Sequence, residues 1–463
     1  MKLAILKKDV KRCTCVWFAL TRSQSRYAVN VYSRKYALRH PLGKMASMKT
    51  SINTLFANLS ISYASSLIGF AIVLILARAL GAEEYGWIAM GLAIGRVLSN
   101  IVELGGQRTF VRAAVRRKDE SSVVLLATKS FGIRLTVFVV CLVVIAVFSA
   151  ISTSSVATFL GLFFSSVWVL LLGLYPASWF DYTRDTKLQN IYIFIERLIS
   201  LATCLILLML PEYMLITLTA VFPLFCVRAI AILRQVRHWL DQNKRHTVAR
   251  LKLNWPTRKP EGLSYYVAVA MLSNSILTYG NQVILGLTPY KLQLPSYSIA
   301  FQIVGLIMIF QGQALRIFLR SISDTCKRKV AVKRNLAKHA IFVAAVSAAM
   351  SIIVWALTRW LLPIILVDES FSSVQNFVSF LGVWVTLSGI GKVVSQYLLE
   401  FNLDSAYLVT SIIGGVSALF LGFVFIPAYG VYAVIAILLG AHSIMITANL
   451  AILIRRFSKL SIN

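Results

Sequence analysis

About twelve apolar runs, each near the length that crosses a bilayer, follow one another along this chain of 463 residues. They centre on 52–77, 85–107, 123–149, 155–178, 188–210, 213–233, 263–287, 295–318, 338–361, 371–399, 405–427 and 429–454. A helix of roughly 20 apolar residues spans the hydrocarbon layer, and it satisfies its own backbone where no water can. The composition leaves little alternative. Apolar residues make up 58% and charged residues 14%, against roughly 45–50% and 25% in soluble domains. That excess cannot be hidden inside a water-soluble fold of this length. The expected fold class is an all-α polytopic membrane protein.

The net charge of +30 would suit a nucleic-acid binder if the cations were clustered at random. They are not. The segment before the first run, the connections after the second, fourth, sixth and eighth runs with their flanks (108–134, 184–187, 228–259 and 316–338), and the segment after the last run hold 41 of the 47 Lys and Arg residues. The other connections are nearly bare, and Ala150–Ser155 carries no charge. Alternation of this kind is the positive-inside pattern. It places both termini in the cytoplasm and makes the basicity an orientation signal, so no nucleic-acid partner is expected.

The longest hydrophilic insert, near 235–261, falls between six runs and six runs. The expected organisation is an N-lobe over 51–234, a basic cytoplasmic linker over 235–261, a C-lobe over 262–456 and a cytoplasmic tail over 457–463. Residues 1–50 carry 12 cations and one acid, Asp9. Three readings stay open for them: a basic tail touching anionic lipid, a transit peptide, or an upstream start with Met45 or Met48 as the true beginning. Removing them lowers the net charge from +30 to +19, since 12 cations and Asp9 leave together. Six cysteines, including the Cys13-x-Cys15 pair, show no zinc or disulfide spacing and are read as incidental thiols.

Ionisable side chains inside a span are expensive, and so become functional candidates. Arg96 and Glu103 lie two helical turns apart on one face of the second run, with Asn100 between them. Arg78, Asn58 and Ser62 near the first run extend this into a candidate polar wall. Glu196 and Arg197 occupy the fifth run. Lys392, Gln396 and Glu400 form a stripe on the tenth, and Gln302, Gln311 and Gln313 add polar groups on the eighth. Side chains near span ends, Glu196–Arg197, Arg78 and Glu400 among them, have snorkelling to the headgroups as the competing reading. For the deeper Arg96 and Lys392 it is an internal ion pair. Cations facing a water-filled cavity suit an anionic ligand, and Arg grips phosphate oxygens in a bidentate fork.

Other chemistry finds no support. There is no phosphate-binding G-x-x-x-x-G-K-[ST] loop, and His40, His238, His246, His339 and His442 are scattered. No metal or cofactor is expected. A glycan ligase or polymerase would need a large outward loop, and the outward connections are short.

Three stretches carry a family resemblance. The first is Ala77-Arg78-Ala79-Leu80-Gly81-Ala82-Glu83-Glu84-Tyr85-Gly86-Trp87-Ile88-Ala89-Met90, running on to Glu103-Leu104-Gly105 and Arg112. The second is Pro176-Ala177-Ser178-Trp179-Phe180-Asp181-Tyr182, followed by Lys187 and Glu196-Arg197-Leu198. The third is Ile426-Pro427-Ala428-Tyr429-Gly430-Val431-Tyr432-Ala433-Val434-Ile435-Ala436. In these the chain resembles the polysaccharide-transport branch of the multidrug/oligosaccharidyl-lipid/polysaccharide exporter superfamily, the Wzx-like O-antigen flippases. Glu103 stands where Asp is usual, and Tyr432 where Gly is customary. Gly81 and Gly430 suit tight turns, and Tyr85 and Tyr429 suit anchoring at the membrane interface.

The resemblance implies two six-helix bundles in a V, alternating access and a cationic central cavity. It makes Arg78, Arg96, Asn100, Glu103, Arg197, Lys392 and Gln396 the substrate-binding candidates. The implied activity is a flippase, not an enzyme, moving polyprenyl-pyrophosphate-linked oligosaccharide across the bacterial inner membrane for O-antigen, capsule or exopolysaccharide. Membrane lipids and other glycan-assembly proteins are the further partners, and a coupling proton or Na+ replaces any cofactor. Two readings compete: a cation-coupled drug exporter on the same fold, which wants acids deep in the cavity, and a membrane ligase or polymerase of glycan assembly.

Overall fold

The computed structural model describes residues 46–103, 105, 110, 114, 120–153, 155–183, 185–209, 221–242, 265–328, 332–366 and 371–460. The basic extension up to residue 45, the linker from 243 to 261 and the last three residues lie outside the described set, as do Arg108, Arg112, Arg116, Arg117 and Lys118. Residues 57–463 form one compact unit.

All regular structure among the described residues is helical. In chain order the α-helices are α1 (Ala46–Glu103), α2 (Glu120–Ser152), α3 (Val156–Leu170), α4 (Ala177–Thr183), α5 (Thr186–Leu208), α6 (Val221–Gln242), α7 (Tyr265–Ser275), α8 (Asn281–Gly286), α9 (Leu294–Arg328), α10 (Val332–Ile365), α11 (Val374–Glu400), α12 (Asp404–Tyr429) and α13 (Val431–Leu460). Short 3-10 turns at Leu171–Leu174 and Pro289–Gln293 extend α3 and open α9, and a π-helical turn at Ile276–Gly280 joins α7 to α8.

Among the described residues nine segments are long and apolar enough to cross a membrane, and the twelve expected runs map onto them as follows. The first two runs merge in α1, where Gly81 turns the chain with φ 75° and ψ 175°, a conformation open to glycine and closed to most other residues. Of the sixth run, residues 213–220 lie outside the described set, and α6, which holds the rest, carries Arg228 and continues to Arg234 and Arg237. The seventh is interrupted by the π turn and carries Asn274, Asn281 and Gln282, which lower its hydropathy. Helix α6 also continues past the expected lobe boundary at 234, because Val236 and Trp239 are buried on it.

Two kinds of surface locate these helices in lipid. On α2 the exposed residues Val139, Val140, Val143, Val144 and Val147 recur at helical spacing, and on α12 Val416, Phe420 and Phe423 do the same. Such stripes are stable only against hydrocarbon. Interior faces use small residues in their place. Gly91 and Gly95, four apart on α1, meet α3, where added Cβ atoms would collide with Leu162 O and Ser166 O. This close small-residue packing substitutes for the hydrophobic drive that lipid removes. It turns the Gly91–Gly95 face of α1 toward α3 and leaves Arg96 on a different face, exposed.

The largest core joins Ile72, Tyr85 and Ile88 of α1 to Tyr297 and Val304 of α9, Val385 of α11 and Leu438 of α13. Tyr85 is fully buried in it, so it packs in the interior, where the sequence suggested a membrane-interface anchor. Tyr429, by contrast, is exposed. Gly430 closes α12 with φ 57°, matching the expected tight turn.

Candidate functional site

A deep electrostatic cluster assembles where α3, α5 and α6 meet. Glu196 of α5 is 2% exposed and Arg228 of α6 is 1% exposed. Arg228 Nε donates to Glu196 Oε1 at 2.8 Å and Nη1 donates to the Trp168 carbonyl at 2.7 Å. Tyr175 Oη donates to the other carboxylate oxygen at 2.5 Å. The Arg228 guanidinium also lies 4.3 Å from the Trp168 ring centroid. Two donors on two oxygens spend the Glu196 charge locally, which is the only inexpensive way to bury it.

Arg197, the next residue, lies in the field of the same carboxylate without bonding to it. Its guanidinium is 5.6 Å from the Trp168 centroid, and it packs so closely on Gly69 of α1 that a Cβ there would lie 3.1 Å from Nη1. It makes no hydrogen bond or ion pair with any described residue. Arg96 lies within electrostatic reach of it, is exposed and likewise has no such partner for its side chain. Arg228 and Arg197 therefore flank one carboxylate, and Arg96 stands within electrostatic reach of Arg197. The arrangement can attract and hold an anion; it has no spare acid for a cation.

Other expected site residues go elsewhere. Arg78 is exposed just before the Gly81 turn, which separates it from Arg96 farther along α1. Asn100 is engaged in packing: its Nδ2 donates to Ser275 Oγ at 2.5 Å and to the Arg96 carbonyl at 3.1 Å, tying α1 to α7. Glu103 is half-buried with Oε1 lacking a partner, and Arg134 of α2 is its nearby cation.

In the C-terminal half Lys392 Nζ donates to Gln311 Oε1 at 2.9 Å. The Gln311 amide donates in turn to Ser347 Oγ and the Val385 carbonyl, at 2.9 and 2.7 Å. Gln396 donates to Glu400 at 3.3 Å, one helical turn on. The structure thus places Arg96 within electrostatic reach of Arg197, while Lys392 is held by Gln311 of α9. The α9 face carrying Gln302 and Gln313 is open at Gly305 and Gly312, where an added Cβ would meet nothing within 4 Å.

Arg134 and Arg228 were counted among the loop cations by position. They are 3% and 1% exposed, so each belongs to the interior. Glu196 is likewise an internal ion-pair residue and does not snorkel at a span end. The signal that identifies this pair was present: an acid in one apolar run and a cation early in the next basic flank. Tyr175 and Trp168 gave no such signal, because a single aromatic in an apolar run is ordinary. Among the described residues no three His, Cys, Asp or Glu side chains come together as metal ligands.

The fold is that of the multidrug and toxic compound extrusion (MATE) transporters. An inward-facing multidrug resistance MATE transporter of the MOP superfamily superposes with a TM-score of 0.57 at 14% identity, covering 88% of this chain and 99% of that one. A MATE protein in the straight conformation gives 0.60 at 12% identity, covering 89% and 96%. A MOP superfamily transporter from Pyrococcus furiosus, described for the reverse polarity of its binding pocket, gives 0.54 at 12% identity, covering 88% and 96%. No curated protein sequence matches the chain significantly. Helices of this order, a cationic cluster between α1 and α5, and the motifs around Gly81 and Pro176 converge with one further finding: residues 52–319 match the profile of the polysaccharide biosynthesis protein family. More than half of the chain is covered, and this multi-pass membrane protein belongs to that family.

Proposed function

We propose that the chain is a flippase that carries polyprenyl-pyrophosphate-linked oligosaccharide across the bacterial inner membrane, with both termini cytoplasmic. The observation that carries the reading is the Arg197–Arg96 couple, without hydrogen-bonded acids among the described residues, next to a carboxylate already ion-paired to Arg228 and hydrogen-bonded by Tyr175. Guanidinium groups without acidic partners match the oxygens of a pyrophosphate, and the polysaccharide biosynthesis family supplies the glycan context. The lipid tail stays in the bilayer while the two lobes, 51–234 and 262–456, alternate their openings around the bound headgroup. A proton or Na+ gradient supplies the free energy. Lys392, held at its Gln311 partner, is the second cationic contact, met by the glycan or pyrophosphate from the C-lobe. The product serves O-antigen, capsule or exopolysaccharide assembly, alongside other glycan-assembly proteins. The chain itself makes and breaks no covalent bond in this reading.

The test is transport of a lipid-linked oligosaccharide in proteoliposomes, read as the fraction exposed to an impermeant glycan probe. Arg197→Ala and Arg96→Ala should each reduce the rate at least about tenfold, the loss of one charge-assisted contact, while the protein remains in the membrane. Wild-type rates in both would overturn the assignment. Export of a cationic drug in place of the glycan would show the multidrug reading to be the correct one.

A further inference from the structure

Gln311 of α9 sits where α9, α10 and α11 meet and is 1% exposed. Its side-chain amide is engaged at both ends. Nε2 donates to the Val385 carbonyl of α11 at 2.7 Å and to Ser347 Oγ of α10 at 2.9 Å. A backbone carbonyl can only accept, so the group facing it must be the NH2, and the amide has a single orientation. Oε1 is thereby turned to Lys392, whose ammonium donates to it at 2.9 Å. Gly389 makes the room: an added Cβ there would lie 2.9 Å from Gln311 Nε2 and 2.9 Å from Val343 Cγ1. Val385, Gly389 and Lys392 follow one another at i, i+4 and i+7. One face of α11 therefore carries the anchor, the gap and the cation.

The neutrality of this partner is the informative part. A lysine drawn into a protein interior is ordinarily paired, and a carboxylate partner cancels its charge. A glutamine oxygen takes up one of the three ammonium N–H groups and leaves the unit charge in place. A glutamate of the same length would attract the lysine more strongly, but its second oxygen would face the Val385 carbonyl, where a donor is required. His442 of α13, within electrostatic reach of Lys392, is neutral or cationic in any protonation state and adds no negative charge. Lys392 itself is half-buried, so its head is held without being sealed off.

We propose that Gln311 is a specificity-determining residue of the transport site: its neutral, orientation-locked amide keeps the Lys392 cation positioned and uncancelled for the anionic headgroup of the substrate. The inference rests on the flippase reading above and extends it to the residue that sets the charge preference of the C-lobe contact. Gln311 is too buried to meet the substrate; it is a positioning residue that acts through Lys392.

Transport in proteoliposomes, measured against the membrane content of lipid-linked oligosaccharide, gives a half-saturating content and a maximal rate. Gln311→Met keeps the length of the side chain and removes its bonds. It should raise the half-saturating content about tenfold, the loss of one hydrogen bond to a charged group, and leave the maximal rate within about twofold. Lys392→Met should raise it at least as far. Adding Gln311→Met to Lys392→Met should then do nothing more, because the amide acts only through the ammonium. Gln311→Glu keeps the shape and tests the charge, and it serves if Gln311→Met fails to fold. When protonated, the new carboxyl can donate to Val385 as the amide did; when ionised, it cancels Lys392. Its transport should fall away from the wild-type rate as pH rises, with the wild-type profile taken in parallel to account for His442. An unchanged half-saturating content in Gln311→Met, a further loss in the double variant, or a Gln311→Glu rate that matches wild type at every pH would each overturn the inference. Failure of the wild type to transport would sink the flippase reading itself, whereas a transporting wild type with an indifferent Gln311 sinks this inference alone.

Discussion

Glu196 and Arg228 make each other tolerable. Each is almost fully buried, and neither could remain charged in that position without the 2.8 Å contact between them. Removing one partner leaves an isolated charge in a low-dielectric interior, a loss of about 3–5 kcal/mol, while replacing both with apolar residues of similar size is often close to neutral. Glu196→Leu and Arg228→Met should therefore each lower the unfolding temperature in detergent strongly, and the double variant should recover most of it. Additive losses in the double variant would show that the two side chains do not act as a pair. The double variant also separates structure from transport, since Arg197 keeps its place over Trp168 but loses the charges beside it.

At the scale of the elements, two glycines with similar backbone angles do different jobs. Gly81 has φ 75° and open space where a Cβ would go, so Gly81→Ala pays only for the backbone, about 1–3 kcal/mol. At Gly430, with φ 57°, an added Cβ would lie 2.7 Å from Gln293 Oε1 and 3.0 Å from Tyr290 Cγ. That oxygen accepts the Val431 N–H at 3.1 Å, and Tyr290 Oη donates to the Ala428 carbonyl at 3.1 Å. Gly430→Ala should consequently cost at least about 1 kcal/mol more than Gly81→Ala, for the hydrogen bond it displaces. Equal thermal shifts would contradict this. Gly95→Leu is the helix-packing counterpart: it drives α1 off α3 at Ser166 and should abolish stable folding in the membrane, a loss read as degradation on expression. Much of this was legible beforehand. Run length gave the helices, and the glycines of two motifs gave their turns. What sequence could not give is partnership across helices. Hydropathy does not distinguish Arg228, folded inward onto Glu196, from the loop cations that follow it, and a polar stripe such as Arg96–Asn100–Glu103 does not announce that Asn100 is committed to Ser275. The Gly91–Gly95 spacing was available and marks which face of α1 packs.

For the whole molecule, the contacts between its first and second halves at one end are the decisive feature. The beginning of the second run meets the end of the seventh and the start of the eighth: an added Cβ at Gly86 would lie 3.6 Å from Pro295 Cγ, one at Gly286 would lie 2.7 Å from Met90 Sδ, and the Lys291 ammonium stands 6.0 Å from the Trp87 ring centroid. In the orientation we propose, with both termini cytoplasmic, this end faces the outer side of the membrane. If the halves move as alternating bodies, these surfaces must separate once per cycle, and a covalent tie across them must stop transport without unfolding either half. An added Cβ at Gly86 lies 3.6 Å from Pro295 Cγ, so cysteines at the two positions stand close enough to be joined by oxidation. The double variant Gly86→Cys/Pro295→Cys should transport glycan when reduced, lose transport when oxidised and regain it on reduction, with each single variant insensitive. The four described native cysteines are free, and three of them are buried, so they are poor competitors for the oxidant, and the single variants control for them. Undiminished transport by the oxidised, verifiably cross-linked protein would mean that this end never opens, and that the substrate leaves by a route that does not pass between α1 and α9.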